Sequence, residues 1–250
     1  MFISTKYLVS QYGIDEAIAR FFVDREPPAN NLYWHEKLLY LRPSPGYLFI
    51  PLIVDLLYKL GLNKERLLSL EFITSMEGIG HISAMEETSA ISRNMAIEKC
   101  EDLVKERCAN PLWLSIVQDY FKSGENDLLK RKAMPFKSLH RGDTFLYSLV
   151  TIDFPKHYFE NIAEQWFSLI GVLLLLDDAD DIDIDKTAGE ENAFLEKGLN
   201  AKSLAQIAAI VQHGLEKIST LNPIMSRTLE RQYIAAMQMP HIAKHLNPSA

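Results

Sequence analysis

The chain has 250 residues, 48% of them hydrophobic, and a formal net charge of −7. That length fits one large domain or two small ones, with apolar content enough for a substantial core. Only eleven Gly and eleven Pro disfavour disorder and turn-rich all-β folds, and the acidic balance argues against a polyanion binder, so no nucleic-acid partner is expected.

In chain order, the pattern predicts helices throughout. The start, "MFISTKYLVSQYGIDEAIARFF", lacks a basic segment, an apolar stretch and a small-residue cleavage site, so no secretory signal is expected. Residues 14–23 carry apolar positions at helical spacing, and 46–61 form a strongly apolar segment that contains Pro51 and stops at Gly61 after Lys59. Residues 63–108 fit two helices, with Gly78 and Gly80 marking a bend or a close backbone approach. Residues 111–124 form a short helix closed by Gly124, followed by the most polar connection, 125–143, with Lys130, Arg131, Lys132, Lys137, His140 and Arg141.

The clearest helix is expected from Asp153, a suitable N-cap, with Pro155 in the first turn. From Pro155 to Asp177 it would span ~33 Å, long enough to cross a domain. Its second half is apolar on all sides, as in a helix at the centre of a bundle. Residues 201–220 and 224–246 read as two amphipathic helices. No fixed-period repeat, alternating strand pattern or composition break appears. The expectation is an all-α, single-domain helical bundle over 1–250. No run reaches ~18 uninterrupted apolar residues, so no transmembrane span is expected. Cys100 and Cys108 are too few for a disulfide scaffold or zinc site and read as ordinary thiols of a soluble, cytoplasmic protein.

The central segment ends in "LLLLDDADDIDID", which places six aspartates between 177 and 185 directly after four leucines. Asp177, Asp178 and Asp181 form D-D-x-x-D, and their spacing lets three carboxylates share one helical face. Such a set suits Mg²⁺, a hard cation that takes carboxylate oxygens and shares its other positions with water and phosphates. The helix C-terminus adds its own negative partial charge, which a cation would relieve. An EF-hand is excluded, because counting from Asp181 puts Lys186 where glycine is needed and Asn192 where the bidentate glutamate belongs. The alternative is a solvated acidic loop after a core helix.

Forty residues before Asp177 lies Lys137, in "FKSLHRGDTFLY". Together with "SLIGVLLLLDDADD", this layout resembles the all-α class I isoprenoid synthases of the trans-prenyltransferase and terpene-synthase type. In that family a Lys-Thr pair opens one helix and the next long helix ends in an aspartate-rich motif. Lys137 and Ser138 stand in place of the pair, Asp177, Asp178 and Asp181 match the second motif, and Arg42–Pro43 keep a dipeptide of the N-terminal region. The resemblance covers about residues 35–185. The first D-D-x-x-D motif is absent: its region holds Glu86 and Glu87, followed by Arg93. The terpene-cyclase signature after Asp177 is also missing.

The resemblance implies a prenyl diphosphate substrate held with Mg²⁺. Asp177, Asp178, Asp181 and Lys137 would be the catalytic set, with Glu86 and Glu87 replacing part of the missing metal ligands. Lys137, Arg141, Arg42 and Arg93 would neutralise the diphosphate. Aromatic walls would stabilise a carbocation, for which Phe145, Tyr147, Trp166 and Phe167 are available, although each also reads as core packing. A homodimer is compatible with this reading. The alternative is a non-catalytic binding or partner subunit on the same scaffold, its acidic loop solvated. His241 and His245 stand four apart without a third ligand and read as a surface pair; His81 reads as a lone core or loop histidine. No Gly-rich phosphate loop or G-x-S-x-G elbow is present.

Overall fold

The computed structural model describes residues 3–26, 28, 40, 45–124 and 126–246, and all its regular elements are helical, with no strand among the described residues. Among the described residues, fourteen α-helices follow one another: α1 Thr5–Tyr12, α2 Glu16–Val23, α3 Pro45–Leu60, α4 Lys64–Leu67, α5 Leu70–Glu87, α6 Arg93–Lys105, α7 Pro111–Ser123, α8 Asp127–Lys130, α9 Phe159–Asp180, α10 Ile182–Ala188, α11 Ala193–Glu196, α12 Ala201–Ser219, α13 Pro223–Met237 and α14 Pro240–Leu246. A long 3-10 helix, Lys137–Thr151, and a 3-10 turn, Lys156–Tyr158, stand before α9.

The axis of the molecule is α9, which packs against α3, α12, α13 and the long 3-10 helix. Trp166, Leu169, Val172, Leu173, Leu175 and Leu176 are all buried, so this helix is apolar around most of its circumference because it has neighbours on most sides. Each such side chain contributes about 1.5–3 kcal/mol by leaving water. The stretch Lys156–Asp180 has the length and apolar content to cross a membrane, and 78% of its most apolar window is buried inside the bundle. One contiguous core runs through all these elements and makes the fold a single domain.

Local chemistry sets the helix ends. Asn110, Asn200 and Asn222 each cap the following helix through their side-chain oxygens, with Pro111 and Pro223 in the first turns of α7 and α13. Gly13 and Gly124 close α1 and α7 in left-handed conformations. Fully buried Asp55 on α3 accepts from the Asp15 amide at 2.8 Å, Lys59 Nζ at 2.6 Å and Asn222 Nδ2 at 2.9 Å, tying the N-terminal helices to α13.

Four expected boundaries differ. Residues 63–108 hold three helices, and the main break falls at Thr88–Ser92, where Ser89 has φ +56° and Ser92 caps α6. Gly78 sits inside α5, where a Cβ would lie 2.8 Å from Leu103 Cδ2, so it serves close packing. The polar connection 125–143 contains α8 and the start of the 3-10 helix. Asp153 is not the N-cap of α9: Phe154 packs on Trp113 and its carbonyl accepts from Asn110 Nδ2 at 3.2 Å, which holds this stretch out of the helix until Phe159. Residues 224–246 split into α13 and α14, because Pro240 lacks an N–H and disfavours helix at the residue before it.

Candidate functional site

The C-terminal end of α5 lines a cleft, and the end of α9 approaches it from the other side of Arg141. The first ends at Glu86 and Glu87 and the second at the aspartates, so two sets of carboxylates meet at two negative helix ends. Between them stands Arg141 from the long 3-10 helix. Its Nη2 lies 2.6 Å from Asp178 Oδ1 and 3.7 Å from Asp177 Oδ2. The cleft has a volume of 320 Å³ and is lined by Glu86, Glu87, Arg141, Gly189, Glu190 and Glu191 among others. The buried Nε of Arg141 has no hydrogen-bond partner among the described residues.

The two members of the aspartate pair behave differently. Asp178 is buried and its carboxylate is occupied: Oδ1 takes Arg141, and Oδ2 accepts the Ala193 amide at 2.8 Å. Its backbone carbonyl accepts Asn192 Nδ2 at 2.6 Å, and the same amide group reaches Asp185 Oδ2 at 2.8 Å. Asp178 therefore positions Arg141 and the chain at 192–193. The Asp177 side chain is 41% exposed, its carboxylate 3.7 Å from Arg141 Nη2. Burial pushes its pKa up to about 6; Asp181, Asp178 and Glu87 push the same way and Arg141 opposes them.

Glu87 lines the cleft yet is closely surrounded. Desolvation raises its pKa, Arg141 opposes, and Glu86 and Glu190 add to the rise. Asp181 is the C-cap of α9, and its pKa is raised by burial and then by Asp185. For Arg141, burial disfavours the charge, but Asp178, Asp177 and Glu87 outweigh it and the pKa rises. The charges thus hold one another in a ring of carboxyls around a single guanidinium.

Glu86 pairs with Arg93 Nη1 at 3.1 Å, and Arg93 Nη2 donates to the His140 carbonyl at 3.0 Å. Arg93 therefore stands behind Glu86, committed to it. Lys137 opens the 3-10 helix on the outer edge, and its ammonium pairs with Glu191. Arg42 lies outside the described residues. Of the predicted residues, the structure gathers Asp177, Asp178, Arg141, Glu86 and Glu87 at one place. Asp181 and Lys137 stand at its rim. Asp178 turns inward, so the three carboxylates of D-D-x-x-D do not form an open set.

Sequence reasoning missed Glu191, Asn192 and Glu196, which arrange the rim. The signal for Asn192 was available: it precedes the short apolar helix α11 and caps it through its side-chain oxygen. The aromatic candidates are core residues. Phe145 meets Phe49 edge-on at 5.2 Å, Phe49 meets Trp166 at 5.4 Å, and Tyr147 stacks on Phe121 at 5.4 Å. His241 Nε2 faces the Ala179 carbonyl at 3.3 Å, close to the acidic end of α9. Among the described residues, no three His, Cys, Asp or Glu side chains are grouped closely enough to hold a metal by themselves. Comparisons with protein-family models, with curated proteins and with solved structures gave no match to this chain.

Proposed function

We propose that the cleft binds a prenyl diphosphate together with Mg²⁺ and that the chain is a divergent enzyme resembling the class I isoprenoid synthases. The observation that carries this reading is the meeting of two carboxylate sets, from the ends of α5 and α9, around Arg141. The resemblance in sequence requires a second set of carboxylates, and Glu86 and Glu87 at the end of α5 are the residues that would supply it.

The residues fit the ion in a particular sense. Mg²⁺ usually retains several waters and is held by one or two carboxylates plus substrate phosphates, so a ready three-ligand cage is not required. Asp177 and Glu87 are hard oxygen donors beside Arg141, and their pKa values are raised first by burial, with neighbouring carboxylates adding to the rise. They would hold the ion. When bound, it would supply charge neutralisation for a departing diphosphate.

The remaining roles belong to the chain. Arg141 would offer the exposed part of its guanidinium, with its delocalised charge, to phosphate oxygens. Asp178 fixes that guanidinium. Arg93 orients Glu86, and Lys137 adds a mobile charge at the rim. The packed aromatics beneath the cleft keep water from the bundle interior.

A non-catalytic scaffold is favoured by one observation, the commitment of the Asp178 carboxylate to internal partners. Thermal unfolding separates the two readings: Mg²⁺ with a non-hydrolysable prenyl diphosphate analogue should raise the melting temperature of the enzyme, and Asp177→Asn should abolish the rise. No shift with the parent protein would remove the enzyme reading and leave the non-catalytic scaffold with its solvated acidic loop.

A further inference from the structure

The longest run of the chain without Asp, Glu, Lys or Arg is 203–215, on α12, and the run 232–243, on α13 and the start of α14, is one residue shorter. In α9 a comparable run, 165–176, is uncharged because it is buried. Burial does not explain the other two. On α12, Ala205, Gln206, Ala208, Ala209, Gln212 and His213 are exposed, and on α13 Ala235 is exposed and Ile234 is 50% exposed. A solvated helix face ordinarily carries charge. The two helices pack side by side, and an apolar groove of 240 Å³ runs between them, lined by Ala201, Leu204, Ala205, Ala208, Tyr233 and Met237.

Loss of charge beside Tyr, Ile and Met is the composition of the centre of a protein interface. It differs from that of a membrane-lying helix, whose polar margins are rich in Lys and Arg. The order of residues on α12 says what fits there. About Ala209 the helix is complementary to itself: Gln206 and Gln212 stand three residues to either side, and Lys202 and Glu216 stand seven. Positions seven apart share one helical face. A second α12 running antiparallel about Ala209 therefore brings the Lys202 of each copy opposite the Glu216 of the other, and Gln206 opposite Gln212. Lys202 and Glu216 are both exposed, and Glu216 meets only Gln212 Nε2, at 3.0 Å. The neighbouring cations are engaged elsewhere: Lys217 and His213 turn to Glu164, and Lys197 lies over the Phe136 ring and beside Gln206 Oε1.

We propose that the outer face of α12, with the adjoining second half of α13, docks a second copy of this chain, two α12 helices lying antiparallel about a two-fold axis beside Ala209. An isologous contact of this kind closes on itself and stops at the dimer. Two adjacent helices offer a face ~20 Å wide and ~25 Å long, roughly 500 Å² per copy and about 1,000 Å² in total, the lower end for a specific interface. The dimer therefore exchanges with monomer as concentration changes. The groove and the cleft share no lining residue, so the association does not depend on what the cleft binds.

Sedimentation velocity of the full chain between about 1 µM and about 500 µM tests this, with the parent expected to pass from monomer to dimer across that range. Ala209→Glu sets two like charges together at the axis and should weaken association at least tenfold, roughly. Lys202→Glu and Glu216→Lys each put like charges opposite one another twice per dimer and should each weaken it roughly tenfold, whereas the double variant Lys202→Glu with Glu216→Lys should return to within about threefold of the parent. Both charge reversals suit the helix dipole, an acid in the first turn and a base in the last, so neither should unfold α12, and thermal unfolding checks this. A parent that stays monomeric throughout overturns the proposal and leaves the face to a different partner. A dimer indifferent to Ala209→Glu overturns it by placing the contact on another face. Failure of the double variant to recover association overturns the antiparallel two-fold on which the proposal stands.

Discussion

Arg141 Nη2 stands 2.6 Å from Asp178 Oδ1, a carboxylate with no exposed side-chain surface, while the arginine itself remains 26% exposed. The pair therefore joins the long 3-10 helix to the end of α9 at a point where neither charge can be abandoned cheaply. Asp178→Asn should destabilise the protein by about 3–5 kcal/mol, because it leaves the guanidinium without its buried counter-charge. Urea unfolding at neutral pH measures this. Replacing both residues, Arg141→Met with Asp178→Asn, should cost less than the sum of the singles. Strict additivity would mean that the pair does not act as a unit.

Asp177 makes the opposite kind of contribution. Its folded pKa of about 6 lies above the ordinary aspartate value of about 3.9, so the fold favours its protonated form. Stability is then lost as pH rises between roughly 4 and 6, and the cost is fully present above that window. Asp177→Asn should raise the melting temperature at about pH 7.5, with a gain that shrinks as pH falls through the window toward about pH 4. A gain independent of pH would show that the Asp177 carboxyl titrates normally. The same substitution is the one that removes Mg²⁺-dependent binding, so at this position stability and binding should move in opposite directions.

The scaffold was legible where local chemistry decides. The apolar circumference of α9, the glycine stop at Gly124 and the break at Gly61 all follow from patterns within a few residues. The errors arose where distant residues compete with local preference. Asp153 has the composition of an N-cap, but Phe154 is claimed by Trp113 and Asn110, both more than forty positions earlier. At the site, helical spacing assigned Asp177, Asp178 and Asp181 to one face, whereas the outcome depends on what each carboxylate meets. Asp178 meets Arg141 and the Ala193 amide, whereas the Asp177 side chain stays 41% exposed beside Arg141. Period alone carries no information about those partners.

Behind the cleft, His140 is held between two acceptors, Asp143 Oδ2 at 2.9 Å from Nδ1 and the Met134 carbonyl at 3.0 Å from Nε2. Only the imidazolium can donate to both. The hydrogen bond to Asp143 raises the pKa, burial works against it, and the Asp143 charge and the Met134 carbonyl add to the rise, with Arg93 opposing. A folded pKa above the unfolded value near 6.5 gives stability that is complete below it and lost as pH rises through the folded pKa. His140→Asn should therefore lower the melting temperature more at about pH 6 than at about pH 9. Titration of the His140 ring by NMR provides the direct check. A midpoint at or below about 6.5 would remove the basis of this prediction.

A tight contact between α12 and α9 yields a test of the core. A Cβ on Gly214 of α12 would lie 2.8 Å from the Ser168 carbonyl oxygen and 2.8 Å from Val172 Cγ2, both on α9. Alanine is favoured over glycine in a helix by about 1 kcal/mol, so propensity alone predicts that Gly214→Ala stabilises. Crowding in a packed core costs typically about 1–3 kcal/mol, and here one of the two obstructing atoms is backbone. The expected result is net destabilisation in urea unfolding. Val172→Ala added to Gly214→Ala should recover only part of the crowding cost, because trimming the valine relieves one contact and leaves the Ser168 carbonyl in place. Full recovery would instead assign the strain to side chains alone and imply that α9 and α12 can separate without loss, which their shared burial argues against.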